Sequence, residues 1–139
     1  SHAPDALKNV LETIEEVRTH RVLTVVGCGG DRDRSKRPVM ARVAGEHSDY
    51  VILTSDNPRT EDPMAILKEM EPGILETSCP YEVIENRRAA ICRAIELAQP
   101  GDIVLVAGKG HEDYQIIGRE KIHFDDVEEV EKAFDGGKA

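Results

Sequence analysis

The sequence predicts one α/β domain built on a mostly parallel sheet with helices on both faces. Three observations carry this. Short apolar runs rich in Val and Ile alternate with stretches whose apolar residues recur at helical spacing. One run, Ile103-Val104-Leu105-Val106-Ala107, has no polar alternation, as expected of a central strand covered on both faces. The 139 residues include no Trp and few aromatics, which suits one aliphatic core better than an aromatic-rich sandwich.

The elements follow in order. Residues 4–19 read as a helix, with Leu7, Val10, Leu11, Ile14 and Val17 at helical spacing and Pro4 in the first turn. Residues 21–26 form a short apolar strand, and a polar, glycine-rich loop follows over 27–37. Residues 38–46 form a short helix with Met40 and Val43 inward, and residues 50–54 form the second strand. Asp62 caps a helix that Pro63 opens and that carries Met64, Ile66, Leu67 and Met70. Residues 81–84 are a third strand. Asn86 caps a helix running to Ala98, with Ala90, Ile91, Ala94, Ile95 and Leu97 inward. Gly101-Asp102 is a turn before the fourth strand, residues 103–107. Residues 114–117 and 121–124 flank Gly118-Arg119-Glu120 and read as an antiparallel edge hairpin. Asp125 caps a last helix with Val127, Val130 and Phe134 inward, and residues 136–139 form a frayed tail. No repeat, low-complexity segment or second domain is visible.

Composition narrows the partners. The formal net charge is −9, with 27 acidic against 18 basic residues, so the surface repels phosphate backbones and nucleic acid is not expected as a partner. Most of the acid falls on helix faces (Glu15, Glu16, Glu69, Glu71, Glu128, Glu129), where it reads as a solvated surface. Cys28, Cys79 and Cys92 are an odd set without metal-type spacing, which fits a reducing cytosol. No signal peptide or membrane-length apolar run is present, so no membrane insertion is expected.

The chemistry gathers in three loops. In open parallel sheets, ligands bind outside the carboxyl ends of the strands. Gly27-Cys28-Gly29-Gly30-Asp31-Arg32-Asp33 follows the first strand, Ser55-Asp56-Asn57-Pro58-Arg59-Thr60 the second, and Gly108-Lys109-Gly110-His111-Glu112-Asp113 the fourth. In the second loop Pro58 stops the strand, Asp56 and Asn57 favour a turn, and an amide and a guanidinium are presented side by side. An Arg so held is a fork for a carboxylate. The rim would carry Arg32, Asn57, Arg59 and Glu112 together, and two cations, an amide and an acid suit a zwitterion such as an amino acid.

Neither glycine pattern is a standard phosphate site. The first lacks the third glycine of a dinucleotide fingerprint, and the second has His111 where a phosphate loop needs Ser or Thr. Tight turns and close approach to a ligand remain equal readings of these glycines. His2, His47, His111 and His123 form no metal set, and Gln115 replaces the second histidine of an H-E-x-x-H site, so no metal is expected. Cys28 reads as a small buried thiol rather than a nucleophile.

At these residues the chain resembles the C-terminal domain of a Mur ligase, most narrowly the MurE branch. The resemblance runs in order through His2-Ala3-Pro4-Asp5-Ala6-Leu7, Gly29-Gly30-Asp31-Arg32-Asp33 with Lys36-Arg37-Pro38, residues 54–63 and residues 107–115. It covers almost the whole chain, 1–139. It implies a Rossmann-like domain from a cytoplasmic, three-domain ligase of peptidoglycan biosynthesis, serving the cell wall, cell shape and cell division. The central domain with its ATP loop and the N-terminal UDP-sugar domain are absent, so the chain reads as a fragment expected to be inactive in ligation alone.

The implied reaction adds a diamino acid to UDP-MurNAc-L-Ala-D-Glu. ATP, with Mg2+, phosphorylates a carboxylate in the intact enzyme, and the incoming amine attacks the acyl phosphate. The C-terminal domain positions the amine and excludes water. In this branch D-N-P-R marks meso-diaminopimelate rather than L-lysine. Arg59 would grip the distal carboxylate, supported by Asp56, Asn57 and Pro58. Arg32 would add a second cationic contact, and the Gly108 backbone and Glu112 would take the distal ammonium. Lys109 and His111 either line the nucleotide or acyl phosphate or shape the loop. Asp31 and Asp33 either orient Arg32 or contact the nucleotide. His2 and Asp5 lie near the adenosine in the intact enzyme, and Arg87 reads as a surface residue. A monomer is expected. The alternatives are a lysine-adding ligase, a folylpolyglutamate synthase or other Mur enzyme, and a non-catalytic module binding an amino acid or nucleotide.

Overall fold

A computed structural model describes residues 3–30, 33–109 and 113–118. Helix α1 (Ala3–Val17) leads into β1 (Val22–Cys28), followed by α2 (Lys36–His47), β2 (Tyr50–Ser55), α3 (Pro63–Leu75), β3 (Tyr81–Val83), α4 (Arg87–Leu97), β4 (Ile103–Lys109) and β5 (Asp113–Gly118). The strand order is β3-β2-β1-β4-β5. The first four strands are parallel, and β5 pairs antiparallel with β4 at the edge. β5 thus takes an edge position, with β4 as its described partner. The second arm expected at 121–124 and the last helix lie outside the described residues. β4 has neighbours on both sides, although β1 takes the centre.

Alternation along the strands divides the core into two layers. Val22, Val26, Val51, Leu53, Ile103, Leu105 and Ala107 face α1, α2 and α3, where they meet Leu7, Leu11, Met40, Ala44, Leu67 and Met70. Leu23, Val25, Ile52, Val104 and Val106 face the other way, onto Ala90, Ala94 and Ala98 of the α4 side. The small residues of α4 let it lie close to the sheet.

Local chemistry sets the helix starts. Asp62 accepts a hydrogen bond from the Met64 amide at 3.1 Å, with Pro63 in the first turn, as the sequence requires. Asn86 accepts one from the Ala89 amide at 2.8 Å. Helix α2 begins at Lys36, two residues before the expected Pro38. Proline is tolerated there because it sits inside the first turn, where its missing N–H has no intrahelical acceptor. Helix α3 carries Pro72 in its interior, and the next residue, Gly73, meets α2 backbone to backbone. A Cβ on Gly73 would lie 1.7 Å from the Pro38 carbonyl oxygen. Only glycine allows that approach, which packs the start of α2 against the last turn of α3.

Candidate functional site at the strand carboxyl ends

The strand order reverses between β1 and β4, whose connections leave to opposite sides. In doubly wound sheets this switch point opens the crevice that takes ligands. The loop after β1, the loop after β2 and the end of β4 all lie at this edge.

The first two loops are clasped through their backbones. The Gly30 amide donates to the Asn57 carbonyl at 2.7 Å, and Arg59 Nη1 donates to the Gly30 carbonyl at 2.8 Å. A Cβ at Gly30 would stand 1.8 Å from the Pro58 carbonyl oxygen, so the contact requires glycine. Gly30→Ala is expected to force the loops apart and lower stability by about 1–3 kcal/mol. Urea unfolding measures this, and a variant as stable as the unsubstituted chain would mean the clasp does not form.

Arg59 is held in the left-handed region at φ 52°, and no other described non-glycine residue has positive φ. That conformation costs about 1–3 kcal/mol and gathers at ligand-binding sites, where surroundings enforce it. The Asn57 side chain supports it, its Oδ1 accepting from the Arg59 amide at 3.4 Å. Asn57 and Arg59 are exposed, while Asp56 and Pro58 are half-buried. Arg59 forms no salt bridge among the described residues, and its contacts there are to backbone carbonyls. Its charge is presented at the exposed rim.

Beneath the clasp lies Arg37, whose side chain is 2% exposed. Its Nη1 and Nη2 donate to the two carboxylate oxygens of Glu61 at 3.0 and 2.8 Å. Nη1 also reaches Glu69 at 3.0 Å, and Nη2 reaches the Gly29 carbonyl at 3.1 Å. One guanidinium thus ties the loop after β1, the loop after β2 and α3 together. Arg34 pairs with the same Glu69. Its hydrogen bond holds the Glu69 carboxyl below the ordinary carboxylate range; burial opposes this, and Arg37 reinforces it. Asp33 accepts from the Ser35 amide at 3.0 Å and hydroxyl at 2.6 Å, closing the turn into α2. In the sequence Arg37 stands out only as part of the Lys36-Arg37-Pro38 motif. The one available signal was its place between two glycine- and proline-bearing segments.

Gly108 lies near the end of β4, where the pairing with β5 shifts register between Val106 and Lys109. A bulge leaves one residue's backbone without a ladder partner, so backbone groups are available beside the switch point. Arg32, Asp31, His2, His111 and Glu112 lie outside the described residues, and of Lys109 only the backbone is described.

Arg87 is not the surface residue its position suggested. It is half-buried, and Nη1 has neither solvent contact nor a hydrogen-bond partner among the described residues. Burial depresses its pKa, and the nearby Asp56 carboxylate works against that.

Cys28, at the end of β1, is pushed up to about 12 by burial, with Arg37 pulling the other way and Asp56 adding to the rise. The thiol is protonated at neutral pH, which accords with a structural role. Cys79 is also raised by burial, to about 11, whereas Cys92 is exposed. Iodoacetamide at pH 7.5 is expected to alkylate Cys92 first and Cys28 last, and peptide mass spectrometry reads the order. Among the described residues, no group of three His, Cys, Asp or Glu could hold a metal ion. No described helix is long and apolar enough to cross a membrane.

A Rossmann-like α/β domain with polar loops clasped at its switch point is the architecture that the sequence resemblance implies. Comparison with known proteins supports the assignment. Residues 1–110 match the family model described as Mur ligase, glutamate ligase domain. The chain is 62% identical over 133 residues to a UDP-N-acetylmuramoyl-L-alanyl-D-glutamate--2,6-diaminopimelate ligase of Lactiplantibacillus plantarum, covering 96% of this chain and 27% of that protein. A ligase of the same name from Caldanaerobacter subterraneus subsp. tengcongensis is 52% identical over 132 residues, 95% of this chain and 27% of that protein. A solved structure of a ligase bearing that name superposes with a TM-score of 0.74 at 48% identity, over 99% of this chain and 28% of that one. The chain belongs to the Mur ligase family and matches its C-terminal domain. It spans about a quarter of the length of the curated relatives it matches.

Proposed function

We propose that this domain binds meso-diaminopimelate and presents its amine for ATP-dependent amide formation on UDP-MurNAc-L-Ala-D-Glu, in a cytoplasmic ligase of peptidoglycan biosynthesis. The observation that carries the reading is Arg59, held at φ 52° and clasped to Gly30 beside the switch point. The names of the relatives at 62% and 52% identity supply the substrate class.

The chemistry assigns the parts. Diaminopimelate differs from lysine by a carboxylate on the end that does not react. Arg59 meets that carboxylate, with Asn57 donating beside it and Asp56 and Pro58 shaping the turn. Arg32 adds a second cation. The Gly108 backbone and Glu112 take the distal ammonium, for which carbonyl and carboxylate oxygens are the matching acceptors. The reacting amine is left to face the acyl phosphate. Holding it there converts a bimolecular encounter into an oriented one, which can supply several kcal/mol of the barrier. Closure of the domain excludes the water that would hydrolyse the acyl phosphate.

ATP supplies the activating phosphoryl group. The nucleotide and its Mg2+ are assigned mainly to the rest of the parent protein, as the family resemblance implies. His2, Asp31, Lys109 and His111 are placed at the nucleotide side of the rim or in shaping the loop. The parent is proposed to act as a monomer.

The test is product formation by the parent protein. Incubation with ATP, Mg2+, UDP-MurNAc-L-Ala-D-Glu and meso-diaminopimelate should give ADP, phosphate and a nucleotide heavier by one diaminopimelyl residue in mass spectrometry. Absence of that product from active, folded parent would move the domain to another ligase or to a binding module.

A further inference from the structure

Arg87 opens α4, yet its guanidinium reaches back over the carboxyl edge of the sheet. Nη2 lies 3.5 Å from the Ala107 carbonyl, the long limit of a hydrogen bond. Nη1 is fully buried and has no hydrogen-bond partner among the described residues. Asp56 is close enough for its charge to act on the group. Ala107 directly precedes Gly108, and Asp56 directly precedes Asn57. Arg87 therefore stands between the loop assigned to the distal carboxylate and the loop assigned to the distal ammonium.

A buried guanidinium N–H without an acceptor is expensive, and native proteins nearly always supply one. The acceptors at hand belong to the two loops that Arg87 separates. Their approach on a bound ligand would complete its hydrogen bonding, which makes the open arrangement the costlier one.

We propose that Arg87 is a positioning residue for the amino-acid substrate: it ties the end of β4 to the Asp56–Arg59 loop and is fully hydrogen-bonded only when both loops close on the ligand. This rests on the reading of the site given above. The planar fork matters, because it serves two loops at once. Lysine would bring the charge to one point and bridge them poorly.

The experiment uses the full-length parent with Arg87→Lys and Arg87→Ala. Both variants are expected to raise KM for meso-diaminopimelate at least tenfold. KM for ATP and for the UDP-linked dipeptide should change less than twofold. Hydrogen–deuterium exchange gives a second readout that needs no turnover. In the unsubstituted protein, meso-diaminopimelate should slow exchange in the segments 56–60 and 107–109 together, and Arg87→Lys should abolish that coupling. A KM for meso-diaminopimelate within twofold of the unsubstituted value in both variants overturns the proposal. So does an equal rise for all three substrates, which marks a general structural prop. If Arg87→Ala does not fold, Arg87→Lys and the exchange data decide. Absence of turnover by the unsubstituted parent counts against the proposed function itself, whereas normal turnover with indifferent Arg87 variants counts against this inference alone.

Discussion

Arg59→Ala in the full-length parent is expected to lower kcat/KM for meso-diaminopimelate by about 10²- to 10⁴-fold, mainly through KM. The magnitude follows from two charge-assisted hydrogen bonds at about 1.5–3 kcal/mol each, with about 1.4 kcal/mol per tenfold. The effect should be selective. L-lysine has no distal carboxylate, so its weak use should fall little and the preference between the two amino acids should shrink. Two features raise the expected size. The guanidinium is positioned by a carbonyl clasp rather than left to find its ligand, and the left-handed backbone at this residue is strain that an alanine would retain without the binding it serves. Arg59→Lys should recover only part of the loss, since an ammonium cannot grip a carboxylate with two parallel bonds. Steady-state kinetics with both amino acids measure all of this. A near-normal KM for meso-diaminopimelate in Arg59→Ala would remove Arg59 from the pocket.

Arg37→Ala is expected to be the most destabilising of these substitutions, by about 3–5 kcal/mol, the usual consequence of removing one member of a buried ion pair. It leaves Glu61 and Glu69 facing each other without the guanidinium, and it removes the hydrogen bond to Gly29. Their side chains keep 25% and 27% exposure, so water softens the repulsion and favours the lower end of that range. Acid should act in the same direction. The Glu69 carboxyl is held below the ordinary range, so its stabilisation is complete above the unfolded-state carboxylate pKa and is lost as pH falls through the lower folded value. The unsubstituted chain should therefore lose stability on acidification, and Arg37→Ala should show a shallower acid limb. Urea unfolding across pH 3–7 checks both statements. A loss under about 1 kcal/mol would show that the loops hold without this hub.

The alternation of elements, the strands and the shared rim could be read in the sequence because their signals are local. Strand residues such as Val104 and Val106 carry their burial in their own pattern, and Asp62-Pro63 and Asn86 punctuate helices with their own side chains. Asn57, Pro58 and Arg59 were placed at a strand's end for the same reason. The burial of Arg37 and Arg87 was not legible. It arises from partners that only tertiary packing delivers: Glu61 and Glu69 for one, the Ala107 carbonyl and Asp56 for the other. A charged residue near a helix start looks solvent-facing until the opposite wall is known. The early start of α2 escaped because Pro38 marks a first turn without saying which position in it. At Gly30 the sequence admits both a turn and a close approach, and the neighbour is the protein's own Pro58 backbone.

The central claim is that this rim reads a carboxylate on the non-reacting end of a diamino acid. Competition between meso-diaminopimelate and L-lysine in the full-length parent tests it most directly, with the ratio of kcat/KM values as the measured quantity. Closure over an analogue without the distal carboxylate would desolvate the Arg59 guanidinium without an anionic partner, so a preference for meso-diaminopimelate of about 10⁴-fold is expected. A ratio near one, or a preference for lysine, would contradict the claim while leaving the ligase assignment standing.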